Sequence, residues 1–371
     1  MRFLGAAGLM MLAALPQAAM AQRPPAPPAP EEVPIFRGGV TVVTAPVTVR
    51  YESGNFVTDL KPSEFQVFDN GAPQTFTVEL AETPLSLVIL VCNSSRVSTF
   101  LPEIRKLGSL FDAHVVGERG EAAVVTFDHL VQVAQGFTND ADKLIKAFRD
   151  LKEGSSQSKL NDAMVRALTM LRDRPAGRRK VIVVISEGRD FGSGTDAGYV
   201  LREAQIGGIA IYSVMLSATR AELSRQQPPP SPSPFPPGAT GTYPGQPPTP
   251  TAEMQNRGSV NFIPLIVDLV KGVKGIFVDN PLEVYAKGTG GADLHSFKNS
   301  AIQTAIGKIG SELHSQYLVT YRPNNLNELG YHRIDVIVGR PGTKAVTRPG
   351  YFLAGPVVPS DLPSPSSEAR R

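Results

Sequence analysis

Two rhythms of apolar residues divide this chain. Through its middle, short unbroken apolar runs alternate with stretches at helical spacing. Residues 85–91 (LSLVILV), 121–127 (EAAVVTF), 180–186 (KVIVVIS) and 209–216 (IAIYSVML) read as strands buried on both faces, as in a parallel sheet. Residues 130–137 follow the second run closely enough to form an antiparallel edge hairpin with it. Between the strands, Phe100, Leu101, Ile104, Leu107, Leu110 and Phe111 predict a helix. Leu144, Ile145, Phe148 and Leu151 predict another, capped by Thr138 or Asn139, and residues 160–171 and 196–206 two more. Further on, residues 262–277 carry helical spacing. Pro281 suits the first turn of a short helix after Asn280, ending at Gly288 or Gly290-Gly291. Residues 292–297 read as a last strand, and Asn299 or Ser300 as the cap of a helix carrying Ile302, Ala305, Ile306, Ile309 and Leu313. Strands alternating with helices imply an α/β fold with a doubly wound, mostly parallel sheet.

The flanks keep a period of two instead. Residues 40–51 (VTVVTAPVTVRY) alternate valine with polar residues, as a half-buried strand does. Residues 65–68 and 75–80 follow, with Asp69-Asn70-Gly71 as the turn of a hairpin. Near the end, residues 316–321, 332–338 and 344–353 read the same way. The expected organisation is a small β-sandwich-like antiparallel domain made of residues 37–83 and 316–354. The α/β domain, 84–315, is inserted into it. Residues 22–36 form a proline-rich linker. Eleven prolines fall within 226–250, so an insert over 222–258 and the tail 355–371 are expected to be disordered.

Composition narrows the class. The 371 residues are 42% hydrophobic with a net charge of +3, which fits a globular chain and gives no ground for nucleic-acid binding. The first 21 residues read as a secretory signal: Arg2, an apolar run from Phe3 to Leu15, and Ala19-Met20-Ala21 before the cut. No cysteine sits at the cut, and no later run spans a membrane. The expectation is an exported protein, periplasmic or secreted. Its one cysteine, Cys92, leaves no intramolecular disulfide to form.

After the apolar run 85–91 comes Cys92-Asn93-Ser94-Ser95-Arg96, a short polar loop. A buried strand leading into such a loop resembles the first strand and metal-binding loop of von Willebrand factor A-type (VWA) domains. The flanks add Val47-Thr48-Val49, Val57-Thr58-Asp59-Leu60, Ser63-Glu64-Phe65-Gln66-Val67 and Gly71-Ala72-Pro73-Gln74. Glu312-Leu313-His314-Ser315-Gln316-Tyr317-Leu318 and Arg348-Pro349-Gly350-Tyr351 complete the set. Together these resemble most closely the VWFA-related proteins abundant in Acidobacteria. In VWA domains the loop reads Asp-x-Ser-x-Ser, a second loop adds Thr and a later strand end adds Asp. That set holds Mg²⁺ or a similar cation, which takes a carboxylate from the partner. The resemblance places Cys92 at the Asp, Ser94 at the first Ser, Arg96 at the second, Ser158 at the Thr and Glu187 at the Asp. Asp190 could join the site only if its loop rearranged.

Those exchanges imply a degenerate metal-ion-dependent adhesion site. A neutral thiol is a soft ligand, Arg96 brings positive charge, and Glu187 is the one carboxylate left. The expected function is therefore non-enzymatic binding of another protein, as an adhesion or scaffolding module, with no cofactor. The partner would offer an acidic side chain to Arg96, which could instead pair with Glu187. Divalent-metal-dependent ligand binding through Mg²⁺ at the altered site is the alternative. A hydrolase ranks third, because no nucleophile–base pair stands out: Ser94-Ser95 lacks the glycines of a nucleophile elbow. Asp128-His129 reads as a solvated turn, and Arg174, Arg178, Arg179 and Lys180 as a basic cluster facing water. Gly288-Thr289-Gly290-Gly291 lacks the lysine of a phosphate loop.

Overall fold

The computed structural model describes residues 42–81, 83–175, 177–216, 266–268, 280–296 and 299–353. Strands β1 (Val43–Tyr51), β2 (Phe65–Asp69), β3 (Ala72–Pro73) and β4 (Phe76–Leu80) come first. The α/β segment follows: β5 (Leu85–Cys92), α1 (Leu101–Ile104), α2 (Gly108–Phe111), β6 (Glu121–Phe127), β7 (Val131–Thr138), α3 (Ala141–Arg149), α4 (Leu160–Arg172), β8 (Arg179–Ser186), α5 (Ala197–Ile206), β9 (Ala210–Leu216), α6 (Pro281–Thr289), β10 (Asp293–Ser296) and α7 (Asn299–His314). Strands β11 (Tyr317–Tyr321), β12 (Gly330–Val338), β13 (Thr343–Thr347) and β14 (Gly350–Leu353) close the chain.

The central sheet runs β10-β9-β8-β5-β6-β7. All its pairings are parallel except β6 with β7, the edge hairpin that the pattern predicts. Every residue of β5 is buried, because helices cover both faces of a parallel sheet. The edge strand β7 is largely exposed and pairs irregularly, with register shifts opposite Ala122, Val124 and Val125. Two four-stranded sheets, β13-β1-β11-β4 and β14-β12-β2-β3, come from the flanks. They close on one core, with Ala45, Val47, Val49, Val319 and Tyr321 from the first and Phe65, Val67, Ile334 and Tyr351 from the second. The alternation of β1 sends Val43, Ala45, Val47 and Val49 inward and sets up that core.

Several elements differ from the sequence reading. Residues 65–68 and 75–80 are not partners in a hairpin. Asn70 and Gly71, both at positive φ, turn the chain into the two-residue β3. There Gln74 N–H still donates to the Val67 carbonyl (2.9 Å). The chain then crosses to the other sheet, where β4 pairs with β11 and Phe76, Val78 and Leu80 pack on the shared core. The helix expected over Phe100–Phe111 is two short helices. Its apolar spacing survives, with Phe100, Leu101, Ile104, Leu107 and Phe111 buried. The break precedes Gly108, where α3 crosses so closely that a Cβ would lie 2.7 Å from Cα of Ile145. The α3 cap is Asp140, whose carboxylate accepts from the backbone N–H of Asp142 and Lys143, because β7 continues through Thr138. Residues 344–353 form two strands, broken at Arg348-Pro349. Helix α6 starts at Pro281 after an Asn280 cap and stops at left-handed Gly290.

The expected signal sequence, linker, proline-rich insert and tail, and most of the expected 262–277 helix, lie outside the described residues. Among the described residues no helix is long and apolar enough to cross a membrane.

Candidate functional site

The loops after β5 and β8, the end of β6 and the loop between α3 and α4 meet above the carboxyl ends of the strands, and backbone hydrogen bonds tie them together. Asn93 N–H donates to the carbonyl of Phe127 (3.2 Å), Gly154 N–H to Asn93 (2.8 Å), Ser95 N–H to Ser155 (2.9 Å) and Phe191 N–H to Ser158 (2.7 Å). The five residues singled out in the sequence stand on this framework.

Cys92, the last residue of β5, is fully buried. Its Sγ donates to Ser94 Oγ at 3.3 Å and lies 3.8 Å from Ser158 Oγ. Burial pushes the thiol's pKa up, outweighing the hydrogen bonds from Ser94 and Ser158, and Glu187 adds to the rise. The thiol is therefore neutral at ordinary pH. Ser94 and Ser158 are buried as well, and the Ser158 hydroxyl donates to the Arg189 carbonyl (3.2 Å).

Arg96 sits at the rim. Its Nε donates to the Ser156 carbonyl at 2.9 Å, and its guanidinium lies 4.3 Å from the centre of the Phe191 ring. Nε is 3.9 Å from Glu187 Oε1, an ion pair too long for a hydrogen bond. Glu187 Oε1 is buried without a hydrogen-bond partner. Burial raises the Glu187 pKa, and the positive charges of Arg96 and Arg189 only partly offset that. The structure thus brings together a thiol, two hydroxyls, one carboxylate and one guanidinium. Asp190 is engaged elsewhere: its Oδ1 accepts from Asn161 N–H (3.0 Å) and Ser193 Oγ (2.6 Å) at the start of α4. Among the described residues no group of three or more His, Cys, Asp or Glu side chains is placed to hold a metal.

Asp128 is the residue that sequence reasoning missed. It does not lie in a solvated turn: it is buried, and its carboxylate accepts from Leu130 N–H (2.8 Å), Ser155 N–H (2.7 Å) and His129 Nδ1 (2.8 Å). Burial alone would raise its pKa, but these donors outweigh burial and hold the carboxyl at about 2. Through Ser155 it anchors the loop that carries Ser158. Gly154 permits this, because a Cβ there would come within 2.3 Å of Asp128 Oδ2. The available signal was an aspartate ending a buried strand, a position at which a buried anchor and a solvated turn look alike in sequence.

The basic cluster also departs from expectation. Arg174 and Arg178 reach Glu121 at 2.7 and 3.2 Å, and Arg179 is half-buried, its guanidinium held by the Leu313 carbonyl and Gln316, with desolvation lowering its pKa.

A mostly parallel doubly wound sheet with an antiparallel edge, and three tied loops at its carboxyl end, define a VWA-like α/β domain. Residues 93–189 match the family model of the von Willebrand factor type A domain. The match starts directly after Cys92 and runs just beyond Glu187, so it takes in Ser94, Arg96 and Ser158. No curated protein matches the chain. Among solved structures, the conserved hypothetical protein BatB from Bacteroides thetaiotaomicron is 13% identical, covering 62% of this chain and 98% of that chain with a TM-score of 0.36. An aerotolerance-related membrane protein from Bacteroides fragilis is 14% identical, covering 61% and 98% with a TM-score of 0.34. Proximal thread matrix protein 1 from the mussel byssus is 10% identical, covering 67% and 51% with a TM-score of 0.43.

Proposed function

We propose that this chain is an exported, non-enzymatic protein-binding module of the VWFA-related kind. On this reading it recognises an acidic side chain of its partner through Arg96, without a metal ion. The observation that carries the reading is the state of Arg96. Its Nε is held by the Ser156 carbonyl and its plane lies against Phe191, while its terminal nitrogens, on a side chain 44% exposed, form no described hydrogen bond. A guanidinium fixed in this way presents a preorganised fork to a carboxylate.

The donor set supports the same reading. Mg²⁺ takes hard oxygen ligands in near-octahedral geometry, whereas the buried thiol of Cys92 is soft and neutral. Arg96 places a positive charge beside the position a cation would occupy. These residues do not fit a hard divalent ion. The observation favouring metal-dependent binding is Glu187 Oε1, an unpartnered buried oxygen near the serine-bearing loops.

An array of Asp- and Glu-bearing peptides, probed with the full chain, tests the proposal. Binding that persists with chelator present and is lost in Arg96→Ala is the expected result. Binding abolished by chelator, or unchanged in Arg96→Ala, would contradict it. Periplasmic or extracellular residence follows from the N-terminal signal, and fractionation of the source cells tests it.

A further inference from the structure

The opposite end of the central sheet is built differently. Strand β8 leads up to Glu187 and starts at Arg179 and Lys180, roughly 25 Å below for a strand of this length. There a cleft of about 770 Å³ opens between the sandwich strands, the start of β8 and the end of α5. Arg178, Arg179, Lys180 and Arg348 line it, and the one carboxylate in the lining is the exposed Glu79.

Arg178 is neutralised by Glu121. Arg179 and Arg348 have no such counterpart. Arg179 donates from Nη1 to the Leu313 carbonyl (2.8 Å) and from Nη2 to Gln316 Oε1 (2.7 Å), both uncharged acceptors. Arg348 is 4% exposed, and its Nε has no hydrogen-bond partner. The ionisable neighbours acting on Arg348 are the phenols of Tyr321, Tyr351 and Tyr331, and on Arg179 the phenol of Tyr212. Another wall of the cleft carries Gln205, whose Oε1 is a buried acceptor without a partner.

An arginine cannot shed its proton in a protein, and an unpaired buried cation is costly, so such groups ordinarily meet an anion. Water could satisfy the orphaned Nε and the Gln205 oxygen, but it brings no negative charge. The faces of Tyr rings offset only part of a guanidinium's charge. The cleft volume falls in the range of small-molecule sites, and Pro46, Leu318 and Phe352 add apolar surface beside the charges.

We propose that this cleft is a second binding site, taking a small organic anion whose carboxylate or phosphate group is received by Arg348 and Arg179, with Lys180 at its mouth. Calorimetric titration of the full chain with sodium succinate and, separately, inorganic phosphate tests this against sodium chloride at matched ionic strength. Saturable binding of at least one probe is expected, and the probe that binds identifies the oxyanion class. Arg348→Met should weaken that binding about tenfold or more, equivalent to about 1.4 kcal/mol. Lys180→Met, on a partly exposed side chain, should weaken it severalfold and carries the test if the first variant does not fold. A response to both probes no different from chloride would overturn the proposal. So would binding undiminished in the folded variants.

Discussion

The two ends of the central sheet solve the problem of buried charge in opposite ways. At the carboxyl end, Asp128 is buried but surrounded by donors, and Arg96, 3.9 Å from Glu187, offsets part of that carboxylate's burial. At the amino end, Arg348 is buried and Arg179 half-buried, with neutral or phenolic neighbours only. The loops of the first end are held by their own hydrogen bonds. The second is electrostatically incomplete. Buried charge adds to stability only where the fold supplies its counterpart, so the same kind of substitution should have opposite signs at the two ends.

The largest effect is expected at Gly154. In Gly154→Ala the new Cβ meets Asp128 Oδ2 at 2.3 Å and Asn93 Nδ2 at 3.1 Å, so the loop must shift. A loss of about 3 kcal/mol in denaturant unfolding is predicted. Asp128→Asn comes next. Its carboxyl falls from 3.8 to about 2 on folding, which corresponds to about 2 kcal/mol. Because the folded pKa is the lower one, this stability is present above about pH 4 and disappears as pH falls through about 2. The difference in stability between wild type and Asp128→Asn should therefore shrink over that window, as measured by chemical denaturation at stepped pH. Arg348→Met at the other end should change the sign: in an anion-free buffer it should gain about 1 kcal/mol, since an uncompensated charge is replaced by an apolar chain. Arg96→Ala should have the smallest effect, within about 0.5 kcal/mol, because its pairing with Glu187 is long and its own side chain is substantially exposed. Its consequence should appear in peptide binding.

The contrast also explains which features could be read from the sequence. β5 and β8 were legible because a strand buried on both faces must be apolar throughout. Helix α6 was legible from Asn280, Pro281 and Gly290, whose roles are local. The crossing of β4 to the other sheet was not, because its partner β11 lies on the far side of the α/β segment in sequence and only the fold brings it beside β4. At the carboxyl end, Cys92, Ser94 and Ser158 were named by resemblance, and the structure sets their Sγ and Oγ atoms side by side. Asp128, Arg178 and Arg179 read as solvent-facing in the sequence for a common reason. Charged residues ordinarily face water, and what surrounds these comes from distant parts of the chain: residues 154–155 over Asp128, and Leu313 and Gln316 against Arg179.

The central claim is that the carboxyl-end loops recognise a partner through side chains without a cation. Isothermal titration of the chelator-treated full chain with Mg²⁺ and then Mn²⁺ tests it most directly. The account predicts heats of dilution alone up to millimolar metal, unchanged in Ser94→Ala. Saturable binding of either ion that disappears in Ser94→Ala or Glu187→Gln would contradict it.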